Sequence, residues 1–275
     1  MYSKPSAPRS IGGVLDDGFR LAQASFSKTW PLALAGEILL ALPLFIFKVQ
    51  NGAQDLDDIQ AYLMMSQSPG SSLLYALIAF VWAGLQNAIN AQTASVASGS
   101  PRTIGESTSI GFRLLPRTLW LGFLLTFGFL LIAICFVIPG SFLGDPARLL
   151  IAALALIPLL YYFGRIFLAN VIFVVEDLGA YPALLRSWHL TQNHYWRAGA
   201  ILSLLAVILL VVGLLATLVT FLAGGLLAAV LGARSTLTLT LVELISAAAN
   251  MVVMALTSAM LLSIYYDLKL RQEGT

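Results

Sequence analysis

Charge is scarce in this chain. With 15 basic and 13 acidic residues in 275, charged side chains make up 10% of the sequence, against about 25% in ordinary soluble domains. A globule of this length would need more charged surface than that, so the apolar excess, 59% of the residues, is expected to face lipid. Cysteine is nearly missing too. Cys135 stands alone inside an apolar run, which excludes an intramolecular disulfide and a cysteine-based metal cluster within one chain. The net charge of +2 and the lack of a basic stripe interleaved with aromatics exclude nucleic acid as a partner. Before Trp30 no signal-type apolar core occurs, because Asp16, Asp17, Arg20 and Lys28 interrupt every run. Insertion is therefore expected to use the first span itself.

Motifs that carry chemistry are absent as well. There is no phosphate-binding glycine loop, no nucleophile elbow and no His-Glu-x-x-His pair. His189 and His194 are spaced poorly for two ligands on one helical face, with no carboxylate or cysteine to frame them. No catalytic residue, metal or cofactor is expected, and the chain reads as a protein without enzymatic activity.

What is present is long apolar runs. A helix crossing the hydrocarbon needs about 20 mostly apolar residues, and six segments qualify: Trp30 to Phe47, Ser72 to Val96, Thr118 to Ile138, Leu149 to Val175, Ala198 to Leu222 and Leu237 to Tyr266. The runs are continuous rather than alternating, which excludes a barrel. The expected fold is an all-α polytopic membrane helix bundle forming one integral domain over residues 1–275. The glycine-punctuated stretch Phe221 to Gly232 is expected to be either a hydrophobic turn or a shallow re-entrant piece. Orientation follows from lysine and arginine, which cytoplasmic loops retain. With the N-terminus inside, that side collects Lys4, Arg9, Arg20, Lys28, Arg102, Arg113, Arg117, Arg186, Arg197, Lys269 and Arg271. The outside collects Lys48, Arg148 and Arg234, with the acidic cluster Asp55, Asp57 and Asp58 in the first external loop. Both termini are thus expected in the cytoplasm.

A motif recurs along the chain. Ile11-Gly12, five residues, then Gly18-Phe19-Arg20-Leu21 returns as Ile104-Gly105, five residues, then Gly111-Phe112-Arg113-Leu114. A weaker third copy is Ser187-Trp188-His189-Leu190, and each copy is followed by a tryptophan: Trp30, Trp120 and Trp196. The expected architecture is three units, about 9–96, 102–175 and 178–266, each an amphipathic helix plus a pair of spans. In the first copy Leu15, Phe19, Ala22 and Phe26 share a helical face, predicting a helix in the headgroup plane. Such helices would set span tilt or dock a protein partner or membrane lipids.

Buried ionisable groups are the functional candidates in a membrane. Glu37 and Arg165 fall at depths that allow a pair, while Glu243 falls near the external interface. Gln86 and Asn90 lie one turn apart on the second span, and Asn170 shares their layer. A polar layer of Glu37, Gln86, Asn90, Arg165 and Asn170 is the candidate site; the same groups would equally serve to fix helix packing.

The opening Ile11 to Leu21, the central Val174-Val175-Glu176-Asp177 with Leu185 to Leu190, and the closing Tyr265-Tyr266-Asp267-Leu268-Lys269-Leu270-Arg271 resemble the membrane domain of bacterial glycerophosphoryl diester phosphodiesterases and its stand-alone multi-span relatives. The resemblance implies a bacterial inner (plasma) membrane protein. Those phosphodiesterases carry their chemistry on a separate soluble barrel, for which this chain has no room, so hydrolase activity is not expected. The functional expectation is a non-enzymatic module, transporter-like, lipid-handling or a scaffold. The alternatives are an accessory subunit of an envelope complex or an enzyme on lipid headgroups with Glu37 or His189 as base.

Overall fold

Inside lipid, backbone N–H and C=O groups have no water to bond, so a continuous apolar run satisfies them by coiling on itself. The computed structural model of the chain describes residues 2, 4–50, 69–232 and 235–274, and its regular structure is helical throughout. In chain order the helices are α1 (Ile11–Gln50), α2 (Pro69–Ala97), α3 (Ile104–Arg113), α4 (Leu115–Ser141), α5 (Asp145–Ile166), α6 (Ala169–Val175), α7 (Ala180–Gln192), α8 (Tyr195–Leu231) and α9 (Thr236–Glu273). Among the described residues six stretches are long and apolar enough to cross a membrane: Ile11–Gln50, Leu73–Ala97, Leu115–Ser141, Asp145–Val175, Tyr195–Leu231 and Thr236–Glu273. Only 6% of the most apolar window of α4 is buried inside the protein, so its leucines and phenylalanines need a lipid solvent. The acidic cluster Asp55, Asp57 and Asp58 and the cation Arg234 lie outside the described residues.

Helix α1 sits between α2 and α9, α8 packs along α9, α3 lies on α2, and α4 pairs with α5. Small residues set the close approaches, as expected where helices associate without a hydrophobic driving force between them. A Cβ on Gly18 would fall 3.3 Å from Cα of Met260, and one on Gly111 would fall 2.3 Å from the carbonyl oxygen of Gly84. The second glycine of each strong motif copy, Gly18 and Gly111, is thus the contact point of α1 with α9 and of α3 with α2, while the first, Gly12 and Gly105, faces open space. Ser187, in the weaker copy, is also fully buried.

Three sequence expectations change. First, the N-terminal amphipathic segment is not a separate helix in the headgroup plane but the first turns of α1, which runs unbroken past Pro31. Its packed face is Val14, Gly18, Leu21 and Ser25, while Phe19 points outward, 45% exposed. The small face wins because it lets α1 meet α9 closely; Ser263 Oγ donates to the Val14 carbonyl at 2.8 Å. Second, Phe221 to Gly232 is neither a turn nor re-entrant. Helix α8 continues to Leu231 and ends at Gly232, whose φ of 88° suits a residue without a side chain. Third, the fourth span breaks between α5 and α6, where the Arg165 carbonyl accepts from Ser187 Oγ at 2.7 Å.

In the second copy the amphipathic helix is distinct. Thr103 and Glu106 form a capping box at its start, Thr103 Oγ1 accepting from the Glu106 N–H and Glu106 accepting from the Thr103 N–H.

Both termini lie at one end of the bundle, and the three quoted motifs meet there. The Arg9 N–H donates to Asp267 Oδ1 at 2.9 Å. Asp267, 1% exposed, also accepts from Arg197 at 3.0 Å and from Arg271 at 3.1 Å. Beside it Glu176 accepts from Tyr265 at 2.6 Å, Lys269 at 2.8 Å and Arg186 at 3.3 Å. Burial pushes the Glu176 carboxyl up, but the hydrogen bonds from Lys269 and Tyr265 and the charges of Arg186 and Lys269 outweigh it and hold the group below its ordinary value.

Candidate functional site

Helix α2 carries four amides near its second half, and their side chains serve different ends. Asn87 Nδ2 donates to Thr118 Oγ1 at 2.7 Å, tying α2 to α4. Asn90 Oδ1 accepts from Ser258 Oγ at 2.6 Å, tying α2 to α9. Gln92 donates to the Arg102 carbonyl and accepts from Ser107. These are interhelical bonds of the kind that hold a membrane bundle together. Gln86, one turn before Asn90, is the one of the four that turns to a cavity.

That cavity, about 410 Å³, gathers Glu37 from α1, Gln86 from α2, Asn170 from α6, and Asn250 and Thr257 from α9. Trp82 forms part of its wall. Four helices therefore place polar side chains around one groove within the membrane layer. Among the described residues, Glu37, Gln86 and Asn170 make no side-chain hydrogen bond, so their polar atoms are available to a guest. Asn250 makes one long contact, Nδ2 to Ser246 Oγ at 3.4 Å.

The five residues of the expected layer thus divide. Glu37, Gln86 and Asn170 come together, Asn90 turns its Oδ1 to Ser258, and Arg165 faces elsewhere. The ion pair that depth alone allowed between Glu37 and Arg165 does not form. Arg165 and Asn170 are five residues apart, about 140° round a helix, and the break after Ile166 separates them further. Asn170 accordingly lines the same cavity as Glu37, while Arg165 turns to α7 and α8. Its guanidinium lies 5.0 Å, 5.2 Å and 5.3 Å from the ring centres of Tyr161, Trp188 and Tyr195. Gly164 makes room for the third ring, since a Cβ there would sit 2.9 Å from Tyr195 Cε2.

Glu243 is far from both places. It lies about 36 Å along α9 from Asp267, beside Ile38, Ala41, Leu42 and Phe45 of α1. His189 and His194 come from α7 and the residue before α8. Among the described residues no group of three or more histidine, cysteine, aspartate or glutamate side chains could hold a metal.

Sequence reasoning missed the ionic clusters around Asp267 and Glu176. Arg186, Arg197, Lys269 and Arg271 entered it as markers of orientation, and all but Arg197 also as letters of the resembling motifs, but not as partners of an acidic group. The available signal was that acidic residues stand among them, in Glu176-Asp177 and in Tyr265-Tyr266-Asp267, at span ends where unpaired charge would be dispensable.

A helical bundle with six membrane-length apolar helices and polar side chains converging between them defines the class: a polytopic α-helical membrane protein. Within that class the chain belongs to the family described as Domain of unknown function (DUF7847), whose model matches residues 22–268. No curated protein and no solved structure matches it.

Proposed function

We propose that this protein is a non-enzymatic membrane module that handles a lipid or small amphiphile in the groove lined by Glu37, with both termini in the cytoplasm of a bacterial inner membrane. The observation that carries this reading is the convergence of Glu37, Gln86, Asn170 and Asn250 from four helices on one cavity with unused hydrogen-bonding capacity. A purely structural polar layer would bond those groups to each other, as Ser258 Oγ bonds Asn90 Oδ1. Among the described residues lining the groove Glu37 is the one carboxylate, with no second acid or base beside it, which favours handling over chemistry. The lysine and arginine asymmetry supports the orientation.

The test is transbilayer movement of a fluorescent single-chain phospholipid in vesicles reconstituted with the full chain. Wild-type protein is expected to accelerate the movement over protein-free vesicles. Glu37→Ala and Asn170→Ala should each slow it about fivefold, the loss of one polar contact of about 1 kcal/mol. Unchanged rates in both variants at equal incorporation, or no acceleration by the wild type, would remove the groove from the function.

A further inference from the structure

We infer that the crevice between the end of α5 and the start of α8 is a binding site for the phosphate headgroup of an anionic membrane lipid, received by Arg165. This site is distinct from the groove at Glu37. It rests on the membrane placement of the chain but not on that groove.

A guanidinium carries five N–H donors and cannot give up its charge in a protein. Arg165 is 8% exposed, yet it makes one side-chain hydrogen bond, from Nη2 to Tyr161 Oη at 2.7 Å. Its Nε and Nη1 have no hydrogen-bond partner. The rings of Tyr161, Trp188 and Tyr195 attract the positive charge through their π faces. They do not fill in-plane N–H donors. A buried cation with open donors and, among the described residues, no carboxylate against it is what an oxyanion completes, because two oxygens can accept from the guanidinium edge together.

The space for that oxyanion is present. Arg165 lines a crevice of about 720 Å³ together with Gln192, Asn193, His194 and Arg197, a size in the range of small-molecule sites. These side chains supply donors and positive charge on the polar side. Arg197 of this set is paired with Asp267, which Arg271 also bonds. The other side of the crevice is apolar. Ile157 and Trp196 stand there, 66% and 86% exposed, as walls for an acyl chain and an interfacial anchor. A cationic end joined to an apolar, lipid-facing rim selects an amphiphile with an anionic head. It disfavours a zwitterionic one, whose ammonium would approach the unpaired charge of Arg165.

The experiment uses the full chain in detergent, titrated with phosphatidic acid, phosphatidylcholine or inorganic phosphate and read by native mass spectrometry. Phosphatidic acid should bind about tenfold tighter than phosphatidylcholine. Arg165→Gln should lose about that factor, equivalent to one charge-assisted hydrogen bond, and Arg165→Lys should recover part of it. Arg148→Gln, which removes an exposed cation at the other end of α5, should bind as wild type does. Binding by Arg165→Gln within twofold of wild type would overturn the site, as would displacement of the lipid by millimolar inorganic phosphate. A photo-crosslinking phosphatidic acid tests the wild type independently of any variant. Adducts concentrated in 157–165 and 192–197 are expected, and adducts spread evenly over the lipid-facing helices would refute the proposal. Loss of lipid movement in Glu37→Ala with normal phosphatidic acid binding would separate this site from the groove.

Discussion

Replacing Asp267 with alanine is expected to lower the stability of the bundle by about 3 to 5 kcal/mol, the usual cost of removing one member of a buried ionic cluster. The carboxylate is 1% exposed and accepts from two guanidiniums and the Arg9 backbone, joining α9, α8 and the segment before α1. Without it Arg197 and Arg271 would crowd together with only the Arg9 carbonyl as their common acceptor. Two like charges in a half-desolvated place repel more strongly than on a surface. Asp267→Asn should cost less, since an amide oxygen still accepts one of these bonds. Asp16→Ala is the matched control. Its pair with Arg20 is 2.9 Å long but lies on the surface, where such pairs contribute about 0.2 to 1 kcal/mol. Unfolding in a titrated denaturing detergent, followed by tryptophan fluorescence, reads all three. An Asp267→Ala loss no larger than that of Asp16→Ala would show that the cluster does not bind the helix ends together.

Gly111→Ala should be the most damaging single methyl in the protein. The added carbon would lie 2.3 Å from the Gly84 carbonyl oxygen, 2.7 Å from the Ala88 nitrogen and 2.9 Å from the Ala88 Cβ. Two of these are backbone atoms of α2, which cannot rotate away as a long side chain can. Overpacking costs about 1 to 3 kcal/mol even where side chains can adjust, so a loss at the upper end, about 3 kcal/mol, is expected here. Gly105→Ala on the same helix adds its methyl to open space and should be neutral or slightly stabilising, because alanine is the better helix former. Thermal unfolding by circular dichroism compares the two. Equal melting temperatures would mean that α3 does not rest on α2 as closely as described.

How much of this could be read from residues alone depends on what the feature needs. Span positions follow from composition along the chain, so the helices of Thr118 to Ile138 and Ala198 to Leu222 were legible from hydropathy, although both extend further at their ends. Direction around a helix was not. Leu15, Phe19 and Phe26 make the more apolar face of the first copy, yet α1 packs through Val14, Gly18 and Ser25. In lipid, apolar bulk does not mark the buried side and smallness does. The same problem misplaced Arg165. Its depth was readable, but the ring cage of Tyr161, Trp188 and Tyr195 depends on the break after Ile166 and on α7 folding back. The motifs at span ends were visible as strings, while their convergence on Asp267 and Glu176 needed the packing of α1, α8 and α9.

The most direct test of the account is the side on which its loops lie. With Cys135 replaced by serine, single cysteines at Ser6, Ser100, Gly144 and Ser235 can be offered a membrane-impermeant maleimide in intact cells and in inverted vesicles. The account predicts reaction at positions 6 and 100 only from the cytoplasmic face and at 144 and 235 only from the opposite face. Labelling of all four from one face, or recovery of the labelled chain in the detergent-free soluble fraction, would contradict it.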